Sequence, residues 1–313
     1  MKALLFLLPF SSSVLAVNPS FSEVRVGFET ISYSETLNDV AGFGKLNQSI
    51  DVTNPAVRQI SYTGIDDNWG FYIESAATIS TEIETETWYM DDFGAIQENA
   101  FKTKANEIGF KGAYNFSQTV QFTLGTKFFT SSFTRSNFAF VQPGATAFDE
   151  ALIALSDDPN NPARFTLPGM NSGNNTGEQQ DYASQLRPVI SVSEDQMGIL
   201  LTIGARYDSR LQKSFNKYSW YIETELSTPM YSEIRNTQFE TSTLTDSFNG
   251  WGVMGRVGMR YQVLSHIALI GGIDAQYKSR DIVTKNLENG QRLRVPEVEY
   301  SNVSFALGLQ WSY

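Results

Sequence analysis

The C-terminal stretch Ser301 to Tyr313 alternates almost without a fault. Val303, Phe305, Leu307, Leu309, Trp311 and Tyr313 form one series, and Asn302, Ser304, Ala306, Gly308, Gln310 and Ser312 the other. A strand turns successive side chains to opposite faces, so one face is large and apolar and the other small and mostly polar. Two architectures accept such a strand. In a soluble sandwich the apolar face is the core. In a transmembrane barrel it faces lipid, and the polar face looks into the lumen.

The N-terminus bears on that choice. Met1-Lys2, the apolar run Ala3 to Phe10 and the small-residue site Val14-Leu15-Ala16 have the form of a secretory signal, so residues 1–16 are expected to be removed. That leaves 17–313 as a single barrel domain. The apolar run is too short to span a bilayer as a helix, and no later segment is long and apolar enough. The chain holds no cysteine, so disulfides play no part. A formal net charge of -11 argues against nucleic acid as a partner. Aromatic residues make up 13% and cluster near strand ends.

Period-two segments recur along the chain. They run through Val24–Glu29, Phe71–Ile79, Glu107–Phe116, Val120–Phe128, Ile199–Asp208, Trp220–Leu226, Trp251–Tyr261 and Ile267–Arg280, with a weaker one at Val57–Thr63. Together with the last strand they predict an all-β fold, a transmembrane antiparallel up-and-down β-barrel of about ten strands. Twelve result if Gln185–Ser193 adds a pair. Short connections (Gly64–Asn68, Asn115–Gln118, Leu211–Lys217, Leu264–His266) alternate with long ones (Ser34–Ala56, Thr81–Thr103, Ser132–Asp195, Pro229–Asn249, Thr284–Glu297). Short periplasmic turns and long extracellular loops have this rhythm. The third long loop, 132–195, stands out, with breaker-rich segments and a possible short helix at Phe148–Leu155.

In these features the chain resembles bacterial outer-membrane β-barrel proteins of the Gram-negative, porin-like kind. The resemblance covers the mature chain and includes the terminal pattern Phe305, Leu307, Leu309, Trp311, Tyr313, which is similar to the signal such proteins present to the barrel-assembly machinery. It implies residence in the cell outer membrane, among its lipid and lipopolysaccharide. It does not imply one activity, because barrels of this class include pores, enzymes, adhesins and structural proteins.

The strand register puts Arg25, Glu29, Glu74, Glu107, Lys111, Lys127, Arg206, Asp208, Arg210, Glu223, Glu225, Arg256, Arg260, Asp274, Lys278 and Arg280 on the lumen side. Facing lipid, an Arg or Lys at the midplane would cost about 2–4 kcal/mol. They line an open pore or pair into a plug. Small, uncharged Ser304, Gly308, Gln310 and Ser312 suggest that any free interior space lies against the closing strand. Trp69, Tyr114, Phe116, Tyr207, Trp220, Trp251, Tyr261, Trp311 and Tyr313 fit two interfacial aromatic girdles.

The single histidine, His266, falls in a short periplasmic turn without a neighbouring carboxylate, so no catalytic residue is expected. Acidic stretches in the outer loops (Glu82, Glu84, Glu86, Asp91, Asp92, Asp149, Glu150, Asp157, Asp158) lack an ordered ligand series, so no metal or cofactor is expected. The leading functional expectation is a narrow passive channel for small polar or ionic solutes. The alternatives are a non-conducting surface barrel whose long loops bind a partner or lipopolysaccharide and, less favoured, an outer-membrane hydrolase.

Overall fold

The computed structural model describes residues 20–40, 42–156, 170–172, 186–188, 191–211, 217–237, 243–286 and 292–313. The expected signal, 1–16, lies outside them. In chain order the elements are β1 (Phe21–Leu37), β2 (Leu46–Gly64), β3 (Trp69–Thr78), β4 (Glu84–Met90), β5 (Gly94–Asn115), β6 (Val120–Phe140), α1 (Gly144–Ser156), β7 (Met170–Ser172) and β8 (Leu186–Pro188). There follow β9 (Ser191–Asp208), a 3-10 turn at Ser209–Leu211, β10 (Tyr218–Asn236), β11 (Leu244–Asp246), β12 (Trp251–Leu264), β13 (Ile267–Arg280), β14 (Val283–Asn286), β15 (Arg292–Val295) and β16 (Glu297–Ser312).

Neighbouring strands pair antiparallel, and β1 closes the ring by pairing both β2 and β16. β2 pairs β3 up to Ala56↔Thr78 and then β4 at Leu46↔Met90, so β3 and β4 share one place in the wall. The wall therefore has ten positions. β7–β8 and β14–β15 are separate hairpins, and β11 pairs β10 beyond β12, sharing its place in the wall. Leu186–Pro188 pairs with Met170–Ser172, so the expected alternative of two extra wall strands is not realised there.

The strands are longer than a bilayer needs. β5 has 22 residues and β6 has 21, whereas a tilted barrel strand spans with about 9–11. Much of what reads as long loops is wall that continues above the membrane. Leu46–Ala56 belongs to β2, and 84–90 with 94–103 form a β4–β5 hairpin. The reason is physical. Outside the lipid band the outward face no longer has to be apolar, so Asn47, Ser49, Asp51 and Thr53 alternate with buried Gln48, Ile50, Val52 and Asn54. Such a strand has loop-like composition. Of the third loop, β6 reaches Phe140, α1 follows, and β9 begins at Ser191.

The membrane band is marked by exposed aliphatic and aromatic side chains, with Ile203 at 60%, Leu124 at 60% and Leu307 at 58%. A continuous apolar girdle of this extent requires lipid around it. The interior is packed in layers. Phe21, Ile60, Tyr62, Tyr72, Ala113 and Leu211 close the periplasmic end. Ile31, Tyr33, Ile50, Val52, Phe101, Phe133 and Val298 fill one side of the outer half. At the top α1 lays Phe148 and Leu152 on Val40, Leu46, Trp88, Met90 and Ile96.

Candidate functional site

Between these apolar layers, at membrane level, lies the charged lumen. Alternation along β5, β9, β10, β12 and β13 aims Lys111, Arg206, Glu223, Glu225, Arg256 and Asp274 at the barrel axis, and all are buried. They pair with one another. Lys111 Nζ lies 2.7 Å from Glu223, 2.9 Å from Glu74 and 3.1 Å from Glu225. Arg206 lies 2.7 Å from Glu223 and 3.1 Å from Asp208. Arg256 bonds Asp274 and lies 3.1 Å from Glu223 and 3.2 Å from Glu74. Lys127 bonds Glu225.

Aromatic rings complete the plug. The Arg206 guanidinium sits 4.8 Å from the Tyr72 ring and 4.6 Å from Tyr221. Arg210, on the 3-10 turn, reaches in from the periplasmic side. It bonds Glu23 at 2.6 Å and Gln310 at 2.9 Å, and lies between Phe21 at 4.2 Å and Tyr221 at 4.3 Å. Charges removed from water are tolerable only when paired and hydrogen-bonded, and these supply one another's counter-ions. Ten strands leave a slim interior, and here the side chains occupy it but for a small pocket walled by Arg58, Glu74, Lys127 and Arg256.

All the expected lumen residues but Arg260 have a place in this arrangement. Glu29 accepts from Thr78 and Asn302. Glu107 and Lys278 bond one another above the plug, and Arg280 lies 3.6 Å from Glu194 higher still. Arg260 stands apart, half-buried near the periplasmic end, where it bonds Gln262. Six charged participants were missed by sequence reading, Glu35 and Glu194 among them. Glu23 shares the inward register of Arg25, and Arg58 lies on the weakly patterned β2, 3.2 Å from Asp274. Glu86 and Arg135 occupy segments read as loops. The expected space against β16 is absent. Ser304 and Gln310 are buried, and a Cβ at Gly308 would meet the Val24 carbonyl oxygen at 1.8 Å.

Space is found higher. A cavity lies above the plug, lined by Tyr33, Thr103, Glu107, Phe129, Leu200, Ser227, Lys278 and Tyr300 among others. The Lys278 ammonium is 5.5 Å from the Phe129 ring and 5.7 Å from Tyr300. The cavity is mainly apolar-walled, with the Glu107–Lys278 pair on its floor. Above it, outside the membrane, a second cluster forms around Arg135. Its guanidinium bonds Glu86 at 2.6 and 2.8 Å, lies 3.2 Å from Glu35, and packs 5.0 Å from the Trp88 ring. Burial pushes the Glu35 carboxyl up, against the pull of Arg135, and pushes the Tyr33 phenol well up.

Of the aromatic set, Trp69 packs on Tyr114 and Tyr207 on Trp220 toward the periplasmic end, while Trp251 packs on Tyr277 near the outer end. Phe116 packs on Phe122. Tyr261 packs on Tyr218, and Tyr313 donates to or accepts from Ser22 at 2.5 Å. His266 lies in the turn joining β12 to β13, at the opposite end of the barrel from the cavity.

A closed antiparallel ring with an apolar exterior, a charged interior and a one-sided extension defines a β-barrel of the Gram-negative outer-membrane type. A solved structure shares the fold. The outer membrane protease OmpT from Escherichia coli superposes with a TM-score of 0.61 over 95% of this chain and 97% of that one, at 10% identity. The outer membrane protein OprG from Pseudomonas aeruginosa gives 0.32 over 95% and 97%, also at 10% identity, and the P. putida toluene transporter TodX gives 0.30 over 94% and 89% at 10%. No protein-family model matches the sequence, and no curated protein matches it.

Proposed function

We propose that this is a non-conducting surface barrel of the Gram-negative outer membrane, whose outer extension binds a partner from the medium or the lipopolysaccharide around it. One observation carries the reading: the membrane-level charges are spent on one another in a continuous buried network. A conducting pore needs wetted charges along an unbroken path, with binding weak enough to let a solute leave. Here a solute would have to separate several ion pairs at once. The narrow channel expected from the lumen-facing charges therefore gives way to the plugged alternative.

The outer half supports the binding part. It holds the cavity, the α1 cap and outward-facing Lys102, Lys104 and Arg235, all exposed above the apolar band, where anionic head groups would lie. No catalytic role is proposed. OmpT is described as a protease, but likeness at 10% identity concerns the fold, and the one histidine here lies at the far end from the cavity. Proteoliposomes loaded with a small charged dye test the closed state. The expected result is retention of the dye at the rate of empty vesicles; release that scales with protein content would overturn it. Removal of α1 with 157–190 should abolish partner or lipopolysaccharide binding and leave a heat-modifiable barrel.

A further inference from the structure

One side of the barrel wall has its polarity reversed. Between the aromatic ends, the outward positions of the wall are apolar, or Gly, Ala, Ser or Thr, on every described strand except β2. There Gln59 stands outward and exposed in mid-wall. It pairs in register with Val24 of β1 and Ser75 of β3, both well inside the band, since Trp69 marks the periplasmic end of β3 and Phe28 the outer part of β1. Its amide has no hydrogen-bond partner among the described residues. Lipid tails offer none, and an unsatisfied amide in hydrocarbon is costly.

Above the band the same side shows the opposite anomaly. The break between β3 and β4 is tied to β2 by Ile79 N donating to Pro55 O and Glu82 N donating to Asn54 Oδ1, each at 2.8 Å. It holds Ile83 outward and 64% exposed, just before Glu84, which pairs Phe101 beside the exposed Lys102 above the apolar band. An amide in the lipid zone and an aliphatic in the aqueous zone, along one side of the wall, fit protein as the covering medium.

We infer that this face, centred on Gln59, is a two-fold contact between two copies of this chain. A carboxamide carries donors and an acceptor, so it is its own complement. Across a two-fold axis each Gln59 satisfies the other, as an isologous interface requires. Small Ser61, Ser75 and Ala77 around it let two walls approach. Along the whole outward face of β2 the single charged residue is Asp51, so like-charge repulsion is low.

The test uses the full-length chain in native outer membranes. The chain has no cysteine, so Gln59→Cys gives disulfides without background. Oxidation should convert Gln59→Cys to a covalent homodimer several-fold faster than Ile203→Cys, whose site on β9 is across the barrel. In lipid nanodiscs wild type should sediment as a dimer, and Gln59→Leu and Ile83→Ser should shift it to monomer while both stay heat-modifiable. Equal crosslinking of the two cysteine variants, a monomeric wild type, or crosslinking of Gln59→Cys to a different polypeptide would each overturn the inference. Should a variant fail to fold, the wild-type sedimentation result decides.

Discussion

Glu223 is the residue on which the plug turns. Its carboxylate touches Lys111, Arg206 and Arg256 together, so Glu223→Ala takes one counter-ion from each of three buried cations and leaves them their remaining partners among Glu74, Glu225, Asp208 and Asp274. Breaking a buried pair in this way costs about 3–5 kcal/mol, and the urea midpoint of unfolding in lipid vesicles should fall accordingly. Arg235→Ala, whose side chain is exposed beside Glu233, should change it by no more than about 0.5 kcal/mol. Glu35 offers the pH test. Its folded pKa is raised, so the stability it contributes is complete below the ordinary value of 4.5 and is lost as pH rises through the raised one. Trp88, buried against Arg135, is the reporter. Urea-induced exposure of Trp88 should become easier as pH rises above the ordinary carboxylate value of 4.5 in wild type, and Glu35→Gln should flatten that trend. Residue by residue, Arg206, Glu223 and Arg256 were legible because period two and the expense of charge in lipid leave them one side to face. Glu86 and Arg135 were not, because nothing outside the lipid band forces a charge inward.

At the scale of elements, the same distinction explains which strand lengths could be read. β12, β13 and β16 lie mostly within lipid, and their alternation gives their limits closely. β2, β5 and β6 run beyond it, and there the outward residues turn polar while the inward ones stay mixed, so the contrast that marks a strand fades. The extension is held by its own small cores. Phe148 is fully buried under α1, in edge contact with Phe43 and near Phe93. Phe148→Ala should remove about 3–5 kcal/mol of local packing. The expected consequence is faster proteolysis within 141–190 and an unchanged heat-modifiable barrel. The seam between β1 and β16 makes a different demand. At Gly308 the Val24 carbonyl leaves no room for a Cβ, so Gly308→Val should slow or prevent barrel closure. The readout is the fraction reaching the heat-modifiable form after folding into vesicles.

The molecule as a whole is a membrane cylinder filled at its waist and built up on one side. Closure was not legible in the sequence. Opposite charges facing a common axis describe a wetted pore and a dry plug equally well. What separates them is whether the side chains reach each other across ten strands, which depends on shear, tilt and the rings of Tyr72 and Tyr221 between them. The cavity above the plug was likewise hidden, because its walls come from eight strands and its position follows from what fills the levels below. A filled waist with an open outer cavity suits capture at the surface better than passage. Single-channel recording of the purified wild-type barrel in planar bilayers tests this most directly. The account predicts no discrete conductance steps across a range of salts and voltages, and it is contradicted by steady steps whose ion selectivity changes when Arg256 and Arg260 are reversed in charge.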